Sequence, residues 1–465
     1  LALVAMLGGH AAIAGSSDVG GDGYIHVAPN GTVLGVDPYY PKDGNGGYDV
    51  QDYALTLDYD PGYLLLRGRA TVKAAATQDL ARFNLDLYGF TVYSVTVDGK
   101  SAAFTRAGAH EVVITPSATL SAGSAFTAEI AYVGRPRTLG SGRGTTGWLA
   151  TPGGPAVAAG MPHSAMTWFP VNGTEVDKAT MRVAVTVPVG WSVVGNGVLR
   201  SDVPCGTRHT VTWAEETAMA PNAAMLGIGR WQIDTVPLPG GPTVVNAYAP
   251  GATDKREVGD RLPEVLGFLT GVLGDYPQSA AGGLFLDRSL DYTHPAQTRP
   301  VYGSSAGVTD LVYATAYQWW GNGVTHKMWR DVLMPESFAR YAVWLWDEAK
   351  SGVDLDDRYR ALVTGAGSGF WTPKLTDPGA GAEYAPTAKA VLMVHALRRT
   401  IGDDAFSQVL SGFPAINPQG NQNWHDFELY VEAVAQRDLA GFNHAWTEAT
   451  VIPADEFLHP GTLRP

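Results

Sequence analysis

Tyr313 and Tyr317 stand four residues apart with Ala314 between them, and Glu336 follows Tyr317 after 18 intervening residues. On a helix, positions i and i+4 share one face. A metal-dependent hydrolase uses that spacing for two histidines, sets a glutamate after the first as general base, and takes a further carboxylate as third ligand. Here only Glu336 is of the required type. A phenol titrates near about 10 and is a poor zinc ligand at neutral pH. Alanine at 314 has no proton acceptor with which to activate water. With histidines at 313 and 317 and a glutamate at 314, the stretch would be a zinc site; as written, it has a ligand and no partners for it.

Other chemistry-bearing residues lie near this stretch in sequence. His294 and His326 with Glu336 make a three-ligand set by type, although neither histidine has the spacing of a metal motif. Ser304 and Ser305 are close in sequence to His294, but no Gly-x-Ser-x-Gly elbow marks a nucleophile. Tyr302, Tyr313 and Tyr317 can form an aromatic, hydrogen-bonding floor; the simpler and favoured reading is that Tyr313 and Tyr317 plug the vacated metal cavity. A carboxylate buried at 336 without a metal needs hydrogen-bond donors or a proton. The two phenols predict a Tyr313–Glu336–Tyr317 hydrogen-bonded cluster.

These residues must be held by a chain of 465 residues, too long for one hydrophobic core. Hydrophobic residues make up 45% and charged ones 17%, which excludes wholesale disorder. The net charge of −13 argues against a nucleic-acid partner. Cys205 is the single cysteine, so an internal disulfide is excluded. Leu1 to Leu7 is apolar and Ala12-Ile13-Ala14 is followed by Gly15, the pattern of a truncated signal sequence over residues 1–20. A secreted or extracytoplasmic location is therefore expected. No other stretch reaches the roughly 20 apolar residues of an integral membrane segment. Asn30-Gly31-Thr32 and Asn172-Gly173-Thr174 match the glycosylation triplet.

Residues 21–47 read as a Gly- and Asp-rich lead-in loop. From 48 to 240 the apolar pattern has period two: Tyr53-Leu55-Leu57-Tyr59, Phe83-Leu85-Leu87, then Val183-Val185-Val187, with a hairpin signal at Asp98-Gly99. The implied unit is an antiparallel β-domain of saddle or sandwich type. Residues 241–452 change texture, with helical spacing at Arg261–Leu273, Leu311–Trp320, Glu336–Ala349, Thr387–Thr400, Asp404–Leu410 and Phe427–Val434. The class is multidomain α+β, and 453–465 is a Pro-rich tail expected to lie along the surface.

Several separate segments resemble the M1 family of zinc aminopeptidases (gluzincins), of the compact actinobacterial type. They are Tyr48-Asp49-Val50-Gln51-Asp52-Tyr53, Thr167-Trp168-Phe169-Pro170-Val171-Asn172 with Asp177-Lys178-Ala179-Thr180, and Gly227-Ile228-Gly229-Arg230. Further on come Gln297-Thr298-Arg299-Pro300-Val301-Tyr302, Gln318-Trp319-Trp320-Gly321-Asn322, Trp329-Arg330-Asp331 and the block from His395 to Phe406. The resemblance implies an N-terminal β-saddle followed by a thermolysin-like, mainly helical domain. It also implies that Tyr313, Ala314 and Tyr317 stand at the positions of the two zinc histidines and the general base, with Glu336 the one retained ligand. The glutamate that grips the substrate amine in the family falls on Pro295. The family's transition-state tyrosine falls on Thr387, with Tyr384 three residues away as a substitute. The expectation is an M1-like protein that has lost zinc-dependent peptidase activity, binds no metal, and keeps its cleft for a peptide or protein ligand. The alternative is a residual or repurposed hydrolase of that family, with zinc as cofactor if the metallopeptidase form holds. Glu336, Tyr313, Tyr317, His294, Tyr302 and His326 are the candidate cleft residues.

Overall fold

The computed structural model describes residues 37–464. The signal-like segment 1–20, the Asn30 triplet and the first part of 21–47 lie outside the described residues.

Alternating apolar side chains build the first half. Tyr53, Leu55, Leu57 and Tyr59 all turn inward from the strand Tyr48–Asp60, as a two-residue period requires. That strand runs through the middle of an eight-stranded sheet, antiparallel to Leu65–Ala76 and parallel to Ala179–Pro188. The sheet is thus antiparallel except for one pair. Parallel neighbours need a long crossover, and everything between Asp60 and Ala179 supplies it. At Asp98-Gly99 both residues have positive φ (50° and 74°) and reverse the chain between Phe90–Val97 and Lys100–Ser101, the geometry of a two-residue hairpin turn. Asn172 is buried and bonded to Asn45 and Asp177, so its glycosylation triplet is closed off.

A five-stranded sheet ends in the hairpin Thr138–Ser141 and Gly144–Ala150, whose two-residue loop is Gly142-Arg143. A four-stranded sheet, Gln232–Pro237, Thr243–Tyr248, Ala281–Phe285 and Val301–Tyr302, opens the second half. Helices follow at Leu262–Leu273, Val308–Ala316, Leu333–Ser351, Thr387–Ile401, Asp403–Ile416 and Trp424–Ala435. The architecture is a β-sheet-rich N-terminal domain followed by a helical region. Lys178 Nζ ties the halves together by donating to the carbonyls of Asn322, Gly323 and Gly420 at 3.1, 3.3 and 3.2 Å.

The tail is anchored at two points. Leu458 and Leu463 are buried, and Tyr359 Oη donates to Leu458 O at 2.6 Å. Two leucines anchor this Pro-rich segment. No helix among the described residues is long and apolar enough to cross a membrane.

Candidate functional site

The Val308–Ala316 helix starts where Asp310 Oδ2 accepts from Gly307 N at 3.0 Å, which satisfies a free helix-end donor. It stops at Ala316 rather than at Trp320 as the apolar spacing predicts. Gly321, at φ 144°, turns the chain away. Tyr317 remains at the C-cap with helical angles (φ −62°, ψ −17°), and its N donates to Tyr313 O at 2.9 Å. The two phenols therefore keep their one-turn relationship, with ring centroids 5.9 Å apart. A Cβ at residue 321 would lie 2.2 Å from the Tyr317 ring, so only glycine leaves room for that side chain. Both tyrosines are buried.

Glu336 sits in the first turn of Leu333–Ser351, fully buried. Tyr313 Oη lies 3.1 and 2.9 Å from its two oxygens. Arg340 Nε, one turn along the same helix, donates to Oε1 at 2.7 Å. Arg143 Nη2 donates to Oε1 at 3.0 Å and to Tyr313 Oη at 3.0 Å. The Tyr317 hydroxyl instead meets Met161 Sδ at 3.9 Å. The symmetric tyrosine cluster is therefore half correct: Tyr313 reaches Glu336, while the Tyr317 ring occupies the space over Gly321.

Arg143 reaches this point from the hairpin loop of the β-rich domain. Its guanidinium carbon lies 4.0 Å from the centroid of the Tyr384 ring and 4.4 Å from that of Tyr292, a cation–π clamp. Its side chain is 7% exposed. Burial pushes Glu336 up, but Arg143 and Arg340 outweigh it and hold the carboxyl below its usual value. Burial opposes the charge on Arg143 too, yet Glu336 and the surrounding phenols keep it firmly protonated. Tyr313 is raised to about 12 by burial, against the pull of Arg143. Burial holds Tyr317 and Tyr384 well above an ordinary phenol. The centre is a fixed carboxylate, two guanidiniums and neutral phenols.

The remaining candidates do not converge. His294 packs edge-on to Tyr292 with centroids 4.3 Å apart, and burial, then Arg143, lowers it to about 3. His326 lies against Trp329 at 4.6 Å, and burial, then Lys178, also lowers it to about 3. Neither joins Glu336 in a ligand cluster; the described residues hold one such group, Asp86, His110 and Glu111, in the β-rich domain. Tyr302 stacks on Phe285 at 4.7 Å within the sheet core instead of lining a cleft floor. Ser304 and Ser305 are exposed while His294 is buried, which removes the serine hydrolase arrangement. Pro295 contributes only its carbonyl, which accepts from Asn322 Nδ2 at 2.9 Å. Thr387 begins its helix and donates Oγ1 to Tyr384 O at 2.6 Å. The Tyr384 hydroxyl approaches Met161 Sδ at 3.5 Å. Beside this centre is a cavity of about 630 Å3 lined by Tyr313, Arg340, Trp344, Tyr384, Thr387 and Val391, among others.

No family model matches the sequence, and no curated protein does. Solved structures do. An M1 zinc metallopeptidase from Deinococcus radiodurans superposes with a TM-score of 0.83 at 25% identity, covering 92% of this chain and 99% of that one. A mutant M1 zinc metallopeptidase from the same organism, bound to a Tyr-Ser-Ala substrate, gives 0.82 at 25% identity over 90% and 98%. A two-domain M1 zinc metallopeptidase mutant bound to L-arginine gives 0.81 at 24% identity over 90% and 98%. This chain has the two-domain M1 metallopeptidase fold.

Within that M1 fold, the helices carrying Tyr313 and Glu336 and the segment carrying Tyr384 meet the β-rich domain at Arg143, the tip of one hairpin. Arg143 is the residue that sequence reasoning missed. Its one local signal is the run Gly140-Ser141-Gly142-Arg143-Gly144, in which a basic residue sits among glycines at a tight turn. Nothing in that run names Glu336, 193 residues away, as its partner.

Proposed function

We propose that this M1-fold protein is a pseudopeptidase, a non-catalytic binder of peptide segments that has given up zinc chemistry. The observation that carries the reading is the Arg143–Glu336 contact at 3.0 Å. The residues at the metal positions do not fit zinc. Two phenols are held neutral by burial, and the one carboxylate already receives two guanidiniums and a hydroxyl. A dication beside Arg143 would meet a fixed positive charge in a buried setting, where like charges repel strongly. Ala314 offers no general base, and Pro295 no carboxylate for a substrate amine.

The adjoining cavity, about 630 Å3, is within the range of small-ligand sites. A Deinococcus metallopeptidase of the same fold binds Tyr-Ser-Ala, which supports a peptide as the ligand here. With the amine anchor absent, recognition would use Arg340 and the aromatic walls rather than a free N-terminus. The leader-like Leu1–Leu7 supports an extracytoplasmic location.

The test is calorimetric titration of the purified chain with Tyr-Ser-Ala and with its N-acetylated form, alongside metal analysis and an aminoacyl-fluorophore assay. Both peptides should bind within a few-fold of each other, uncleaved, and the protein should carry no stoichiometric zinc. One zinc per chain, lost in Glu336→Ala together with turnover, would overturn the reading. Turnover insensitive to chelators would replace it with a metal-independent hydrolase.

A further inference from the structure

Asp86 and Glu111 are directly opposed across an antiparallel pair, at the end of Phe83–Asp86 and the start of Glu111–Thr115. Like charges so placed repel, and both residues are buried, at 0% and 4% exposure. Their environments differ. Asp86 Oδ2 accepts from the backbone N of Gly44 (2.8 Å) and Gly173 (3.0 Å), and Oδ1 from Asn45 Nδ2 (3.2 Å). Such donors favour the ionised form. Neither oxygen of Glu111 has a partner at hydrogen-bonding geometry among the described residues, although the Asn84 side chain favours its charge and Arg106 interacts with it electrostatically. A buried carboxylate so poorly partnered, facing a second carboxylate, is relieved either by a proton or by a cation held between the two.

The adjacent residue completes a donor set. Ligand atoms of Asp86, His110 and Glu111 all lie within 4.8 Å of one another. His110 Nε2 lies 2.7 Å from Lys42 O. A metal-binding histidine commonly gives one ring N–H to a carbonyl and offers the other nitrogen as ligand. We infer that Asp86, His110 and Glu111 form a binding site for a first-row divalent cation, Zn2+ or Mn2+, within the β-rich domain and sharing no residue with the Glu336 centre. One imidazole with two carboxylates suits those ions better than Ca2+, which takes an all-oxygen shell. The cation would tie Asp86 to the hairpin bearing His110 and Glu111, beside the segment Lys42–Asn45 that bonds to Asp86 and His110, so its role is that of a staple. The competing occupant is a single proton on Glu111: burial, then Asp86, raises that carboxyl.

The full chain, stripped with chelator and desalted, is titrated with MnCl2 and with ZnCl2 by calorimetry, and Mn2+ is followed in parallel by electron paramagnetic resonance. One equivalent should bind and raise the melting temperature. Glu111→Gln should weaken binding at least about tenfold, and His110→Gln likewise. Glu111→Gln removes the opposed charge and is expected to melt no lower than wild type without metal, so its loss of binding is readable. Glu336→Gln serves as the control for the cleft and should leave binding unchanged. Failure of both ions to bind wild type more tightly than Glu111→Gln overturns the inference in favour of the shared proton. So does binding that is sensitive to Glu336→Gln and not to Glu111→Gln.

Discussion

Arg143 Nη2 lies 3.0 Å from Glu336 Oε1 and 3.0 Å from Tyr313 Oη, so an arginine from the β-rich domain supplies the positive charge that a buried carboxylate of the helical region requires. The contact couples the halves of the chain.

Arg143→Ala should destabilise the protein. Removing one member of a buried pair costs about 3–5 kcal/mol, and since Arg340 still covers Oε1, the lower end is expected. The double variant Arg143→Met with Glu336→Leu should recover part of the loss, because the charge left without its partner is Arg340, whose side chain is 37% exposed and can be hydrated. Urea unfolding of wild type, Arg143→Met, Glu336→Leu and the double variant forms a double-mutant cycle; a double variant as unstable as the sum of its singles would show that the pair is not coupled.

The two phenols should behave differently. Tyr313→Phe removes a hydrogen bond to a charged group and should cost about 1.5–3 kcal/mol. Tyr317→Phe loses only a long contact to Met161 Sδ and should cost less than about 1 kcal/mol. Equal losses in chemical denaturation would revive the symmetric cluster.

Restoring the motif should not by itself restore zinc. Tyr313→His, Ala314→Glu and Tyr317→His together leave Arg143 in place and should yield a protein without stoichiometric zinc. Adding Arg143→Ala should allow one zinc per chain, read by metal analysis after dialysis. Zinc retained by the triple variant would mean that Arg143 is no obstacle.

Acid should expose the role of Glu336. Its folded-state pKa lies below the ordinary 4.5 because burial is outweighed by Arg143 and Arg340. Its contribution is therefore complete above pH 4.5 and lost as pH falls through the lower folded value. The stability gap between wild type and Glu336→Gln should be widest above pH 4.5 and narrow below it. A gap that stays constant from pH 6 to pH 3 would contradict this.

Much of this molecule is legible in one dimension. The strands at Tyr48–Asp60 and Phe83–Asp86 follow from side-chain alternation, and the helices at Leu262–Leu273 and Thr387–Ile401 from apolar spacing, because these signals are local. The i, i+4 relation of Tyr313 and Tyr317 survives even though the helix ends early. The residue types at 295, 313, 314, 317 and 387 are likewise properties of the sequence, and they speak to the chemistry whatever the fold.

Other features were decided only by the tertiary structure. The parallel pairing of Tyr48–Asp60 with Ala179–Pro188 depends on a crossover that no local pattern records. The divergence of the phenols, one to Glu336 and the other to Met161, depends on the free space over Gly321. Arg143 became a partner of Glu336 because two domains dock, and the buried carboxylate selects whichever charge that docking delivers. Periodicity reports neighbours along the chain; compensation of a buried charge depends on neighbours in space, and here they lie 193 residues apart.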